Sequence, residues 1–298
     1  SVFDPDSATV GSATILINNT AAAAAGQTFT GTTSYDSFTG GTGGDTFTFA
    51  ANDSLDNTDI IDGGDGTDTL TANLTGSGDT PTTKTPNMEN IEIFQVKNTD
   101  VSSNEDAIAY DLINTASTFT TLWNDNSSDS VTFSNLNAVP GLVKLSLAVG
   151  TTTVNFVGTS LTGAADSLAV ELYGTSSTTL ALTGGSTLLG RVIETVTIKS
   201  DSVANTLADL QTTGVGATAL TVTGPKGLTI TAALDTEVAT IDASGMTGTS
   251  GLTLSASPGI TTGVTITGSP GADALFGASG NDNISTGAGN DSITLGTL

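Results

Sequence analysis

The sequence predicts an all-β protein, built as a right-handed parallel β-roll or β-solenoid with little helix. Three observations carry that prediction. Thr, Ser, Gly, Ala, Val and Leu dominate the 298 residues, and Thr and Val favour strands while depressing helix formation. Short runs alternate aliphatic residues with Thr, the period-2 pattern of a strand with one buried face. A nine-residue repeat recurs at both ends of the chain, which is how stacked coils announce themselves in a sequence.

Composition narrows what such a protein can do. Six Lys and Arg stand against thirty Asp and Glu, a formal charge of −24. The six cations, Lys84, Lys97, Lys144, Arg191, Lys199 and Lys226, are scattered. No basic cluster exists to meet a nucleic acid or an anionic membrane surface. With no His, every mechanism that needs a histidine base or ligand is excluded. With no Cys, disulfides and thiol chemistry are excluded too. An enzyme would have to run on carboxylates, hydroxyls or a hard metal, and with no nucleophile elbow or zinc motif in the sequence none is expected. Hydrophobic residues at 37% and a mean hydropathy of +0.13 are too apolar for a solvated disordered tail. No run of 18 apolar residues is present, so no transmembrane segment is expected. The chain opens Ser1-Val2-Phe3 without Met, which reads as a processed product or a piece of a longer protein.

Three stretches follow along the chain. Residues 1–75 hold the first repeats. Gly31 to Thr39 contains Asp36 and Phe38, and Gly40 to Thr48 contains Asp45 and Phe47 at the same offsets. After an acidic insert comes Gly63-Gly64-Asp65-Gly66-Thr67-Asp68-Thr69-Leu70-Thr71. Running into it, Asp59, Asp62, Asp65 and Asp68 stand three residues apart, the densest acidic feature of the chain. Residues 268–298 carry three repeats in strict register, with Asp273, Asp282 and Asp291 matched by Leu275, Ile284 and Ile293.

Residues 76–267 have another texture, Thr-rich strands such as Leu168–Leu172, Thr179–Leu182 and Leu220–Val222 joined by Gly/Ser/Asn connectors. A β-solenoid is expected here, with a β-sandwich as the alternative. Two helical segments are also expected, at 104–114, where Asn104 could cap, and more weakly at 204–211. A Glu recurs just before a strand, at Glu89, Glu194 and, more loosely, Glu237. It reads either as a solvated residue at the strand's start or as a further cation ligand.

The spacing of the nonapeptide has a chemical reason. Six residues form a turn, and the remaining three form a short strand with one inward apolar side chain. Glycines permit positive φ and leave carbonyl oxygens open to a cation. One carboxylate per turn adds a hard oxygen, which suits Ca²⁺ with its six to eight oxygen ligands. The candidate ligands are Asp36, Asp45, Asp59, Asp62, Asp65, Asp68, Asp273, Asp282 and Asp291. Turn positions at Gly40, Gly43, Gly63, Gly66, Gly271, Gly280 and Gly289 would shape the sites. The bland alternative is a Gly/Asp-rich series of β-turns without metal.

With these motifs stated, the chain resembles the RTX-type secreted proteins of bacteria, whose signature is this calcium-binding nonapeptide. The phrases Ala219–Gly224, Ile241–Gly248 and Thr265–Asp273 narrow the resemblance to alphaproteobacterial RTX-type surface-layer (S-layer) proteins. That resemblance implies a calcium-dependent structural subunit, exported by a type I system and assembling with copies of itself on the cell surface. Such proteins attach to the envelope, possible partners being its polysaccharides, through a region this chain does not display. The alternatives are a secreted RTX adhesin or a carbohydrate-active enzyme bearing an RTX module.

Overall fold

The computed structural model describes residues 25–50, 54–74, 83–99, 108–116, 118–161, 166–185 and 192–296. All of the regular structure among them is β, and there is no helix. The strands form three sheets. One has twelve strands, from Thr28–Thr30 to Asn283–Ser285, and a second has ten, from Thr83–Lys84 to Ser292–Thr294. The third contains only Ser37–Thr39, Ile60–Asp62 and Asn87–Glu89.

Parallel pairing between non-consecutive strands makes this a solenoid. The chain leaves the long sheet, contributes a strand to an opposite sheet, and returns one rung further along. Leu122 lies beside Val143, Val143 beside Val170, and Val170 beside Ile198, each partner one coil on. The sandwich alternative for the middle region fails on this point, because Greek-key sheets need antiparallel neighbours. Strands from all three stretches of the sequence belong to the same long sheet.

The Thr/aliphatic alternation explains the core. In Ser167–Tyr173 the residues Leu168, Val170 and Leu172 are buried, while Ala169 and Glu171 between them are only half-buried. Stacking repeats that choice, so Phe47, Leu70, Phe94, Leu122, Val143, Val170, Ile198 and Val222 form one continuous inward column. At one corner the interior is polar. Asn205 there donates to Ser200 Oγ at 2.8 Å and accepts the amide of Thr175 at 2.9 Å.

Both helix expectations are corrected. Residues 104–107 lie outside the described residues, but Ile108–Asp111 is a strand, and so is Asn205–Gln211. Ile108, Tyr110 and Leu112 are buried at period two, and so are Asn205 and Leu207. Both segments pair with neighbouring coils on both sides, so the ladder decided their form and local helical propensity did not.

Coil length marks the repeats. At the two ends a coil takes eighteen residues, as Phe29 beside Phe47 and Ile266 beside Ile284 show. In the middle the step runs from twenty residues to thirty. Eighteen residues are two nonapeptides, one for each side of the coil.

Candidate metal centre

Successive repeats place their aspartates on opposite sides of the solenoid. Asp273 and Asp291 are one coil apart and stack, whereas Asp282, between them in sequence, leads into the long sheet on the other side. The first block behaves alike, with Asp45 above Asp68 on the long-sheet side and Asp36 above Asp59 on the other.

Each stacked carboxylate accepts at least one main-chain amide, from its own turn, from the preceding coil, or from both. Asp45 Oδ1 accepts the amide of Gln27, one coil earlier, at 2.5 Å, and its Oδ2 accepts the Gly41 amide of its own turn at 2.6 Å. Asp273 repeats the arrangement with Leu252 at 2.6 Å and Ser269 at 2.7 Å. Asp36 takes its own turn's Thr32 amide at 2.7 Å, and Asp59 takes the amides of Asp36 and Asp56 at 2.9 and 2.8 Å. Asp282 and Asp291 each accept an amide of the preceding coil, from Val264 and Asp273, both at 3.0 Å. Bonds of this kind fix the turn around each carboxylate.

The dense run of acids is dispersed by the fold. Asp59 and Asp68 are buried, on opposite sides. Asp62 ends the strand Ile60–Asp62 and accepts from the Gly64 amide and Asn90 Nδ2, at 3.1 and 2.8 Å. Asp65 is exposed, its amide bonded to the Gly41 carbonyl at 2.8 Å. Among the described residues no three acidic side chains converge. A cation here must draw on main-chain carbonyls as well.

The turns are shaped to provide them. Gly66 and Gly289, at equivalent places in the two blocks, have φ of +151° and +124°. A side chain at either would stand 2.4 or 2.3 Å from the carbonyl oxygen of Gly43 or Gly271 in the coil before. Gly280 also has positive φ, 99°. Gly40 and Gly63 approach the next coil as closely, with a Cβ at Gly40 falling 2.1 Å from the Gly63 carbonyl and 2.3 Å from Asp45 Oδ2.

One buried oxygen is left open to a cation. Asp68 is 0% exposed and its Oδ2 has no hydrogen-bond partner. Burial pushes the Asp68 carboxyl above the usual carboxylate range, with the charges of Asp45 and Asp62 adding to the rise. Burial also raises Asp59, where Asp56 and Asp36 add. Carboxylates held this way are stabilised by a positive ion. The ion pairs resolved around lysine lie elsewhere, on the outer face of the long sheet, where Glu171 meets Lys144 at 3.3 Å and Lys199 at 3.1 Å.

The profile of the RTX calcium-binding nonapeptide repeat matches residues 53–74 and 265–297, in four copies. The chain carries RTX repeats. Such repeats bind calcium, and proteins that bear them are typically secreted to the outside of the cell by type I systems. Neither a curated protein nor a solved structure gives a significant match to the chain. The profile leaves out residues 31–48, yet Asp36 and Asp45 there each accept an amide of their own turn, as Asp273 does in a matched repeat.

Glu92 is a residue that sequence reasoning passed over. Its Oε2 accepts the Asp68 amide at 2.7 Å, the place a nonapeptide Asp would take. Glu194 does the same for Asp166 at 2.6 Å. The signal was the phrase Ile-Glu before a strand, shared by Ile91-Glu92 and Ile193-Glu194, but the first motif was aligned on Glu89. Glu89 is exposed, and Glu237 buries one oxygen, Oε2, without a partner.

Proposed function

We propose that this chain is a non-enzymatic, calcium-dependent structural subunit of an extracellular bacterial surface layer, assembling with copies of itself. The carrying observation is the pair of calcium-repeat blocks at opposite ends of one continuous sheet. In this reading residues 1–75 and 268–298 take the cation, and residues 76–267 form a rigid rod between them. Asp36, Asp45, Asp59, Asp68, Asp273, Asp282 and Asp291 would hold calcium together with glycine carbonyls. Bound calcium would neutralise buried carboxylates and tie successive coils.

The charge supports the same reading. A compact chain at −24 repels itself until cations offset its carboxylates. Extracellular modules bind calcium at roughly 10⁻⁴–10⁻³ M, so order would follow exposure to the outside medium. Exposed apolar side chains on the middle region would serve self-association. Leu147, Tyr173 and Val203, on three successive coils, are 54%, 44% and 54% exposed, and Leu147 and Val203 flank Gly174. Exposed apolar groups clustered in this way mark contact sites. Beside them Lys144 lies 4.6 Å from the Trp123 ring centre.

Electron microscopy of the purified chain, with and without millimolar calcium, tests the proposal. Ordered sheets or filaments that form only with calcium are expected. Dispersed monomers that bind a matrix ligand would point to an adhesin instead, and turnover of a glycan would point to an enzyme.

A further inference from the structure

We infer that the turn Glu89–Glu92, which is no nonapeptide and lies outside the matched repeats, closes a calcium site of its own over Asp68. The inference rests on the calcium reading above and extends it to residues that reading does not include.

The turn reproduces, contact by contact, what a repeat does one coil earlier. In the repeat, the Gly40 amide bonds the Asp62 carbonyl at 2.7 Å, and in the next coil the Gly63 amide bonds the Glu89 carbonyl at 2.9 Å. A Cβ at Gly40 would lie 2.1 Å from the Gly63 carbonyl and 2.3 Å from Asp45 Oδ2. A Cβ at Gly63 would lie 2.0 Å from the Asn90 carbonyl and 2.7 Å from Asp68 Oδ2. The Asn90 carbonyl therefore stands where a repeat puts a glycine carbonyl. Asn90 follows the shape of the turn at φ +52°, a conformation that Asn tolerates better than most residues, and its side chain is tied to Asp62. Glu92 completes the match. Its bond to the Asp68 amide at 2.7 Å parallels the bond of Asp68 to the Asp45 amide at 2.6 Å.

A second, independent observation points to a ligand in this place. Asp45 Oδ2 is occupied by the Gly41 amide, but the corresponding Gly64 amide turns to Asp62 Oδ1 at 3.1 Å. Asp68 Oδ2 is thereby left buried, without a hydrogen bond, beside the Asn90 carbonyl. Two oxygens brought together with no donor between them call for a positive partner. Asp68, the Asn90 carbonyl and the Glu92 carboxylate would hold that ion.

The test is calorimetric titration of the full chain with calcium, joined to hydrogen exchange over residues 60–74. The variant Glu92→Gln keeps an acceptor for the Asp68 amide and removes the charge. It should bind one ion fewer, or bind it at least about ten- to a hundredfold more weakly, the cost of losing even an outer-shell partner at a metal site. Calcium should also slow exchange over 60–74 in the parent chain and not in E92Q. Asp282→Asn, in the other block, should leave that protection in place. If the parent binds calcium and E92Q matches it in stoichiometry, affinity and protection, this inference falls and the calcium reading stands. If the parent binds no calcium, both fall. Should E92Q not fold, Glu92→Asp decides, because it keeps the charge and draws the carboxylate back by one methylene. A changed calcium affinity or one ion fewer supports the site, and the parent's stoichiometry and affinity overturn it.

Discussion

The main-chain amide of Asp45 donates to Oδ1 of Asp68 across 2.6 Å, so the carboxylate of one coil fastens the coil before it. Twenty-three residues of sequence separate the two, and the bond is buried. It exists only where consecutive coils stack in register, which makes the acidic columns reporters of the fold as well as candidate ligands.

Calcium removal should therefore reach beyond the sites. With a chelator in excess, far-ultraviolet circular dichroism is expected to lose β signal, and any assembly to disperse. An unchanged spectrum with intact assemblies would refute the calcium reading.

The buried acids give a pH dependence with a definite sign. Asp59 and Asp68 titrate above 3.8 in the folded chain without metal, chiefly because burial disfavours their charge. Protonation at these two sites stabilises the calcium-free fold below the ordinary carboxylate range, and that contribution is lost as pH rises through the folded values. Thermal unfolding in chelator should show their contribution falling from about pH 4 upward. Added calcium should raise the midpoint more at neutral pH than at acidic pH, since it competes with those protons.

A core substitution should be costly. Leu122 is fully buried between Phe94 and Val143 in the inward column. Leu122→Ala is expected to cost about 2–5 kcal/mol in urea denaturation at saturating calcium. Since each coil meets only its neighbours, loss of protection in hydrogen exchange should centre on the coils around it.

Gly289→Ala should damage the C-terminal block selectively. The residue sits at φ +124°, and the added methyl would meet the Gly271 carbonyl at 2.3 Å. Calorimetry should show weaker calcium binding with little change in exchange around residues 60–74. Equal damage at both ends would contradict independent blocks.

The flank of the middle region should separate folding from assembly. Leu147→Asp with Val203→Asp alters two exposed side chains on either side of Gly174. The double variant is expected to keep its circular dichroism spectrum and calcium uptake and to form no array in electron micrographs. Arrays identical to the parent's would place the contact elsewhere.

Much of this fold was legible because its pattern is local. Alternation in Leu168–Leu172 and the nine-residue steps of Asp273, Asp282 and Asp291 each report a strand or a turn without reference to distant residues. What could not be read was which coil sits beside which. The spacing of Asp59, Asp62, Asp65 and Asp68 looks like one acidic cluster in sequence, yet the coil divides it between two sides and the solvent. Ile108–Asp111 and Asn205–Gln211 suit a helix taken alone and become strands because parallel neighbours supply the hydrogen bonds. Glu92 stayed hidden for the same reason, since its partner Asp68 lies twenty-four residues away.

The amide-to-carboxylate bonds between coils also have an orientation. Among the described residues they run from an earlier coil to a later acid, from Gln27 to Asp45, Asp68 to Glu92, Asp166 to Glu194 and Asp273 to Asp291. The clasp for any turn is thus carried by the turn that follows it. A chain winding up from its N-terminal side would always have its newest coil unlatched, while one winding from the other end would lay each coil onto a waiting clasp.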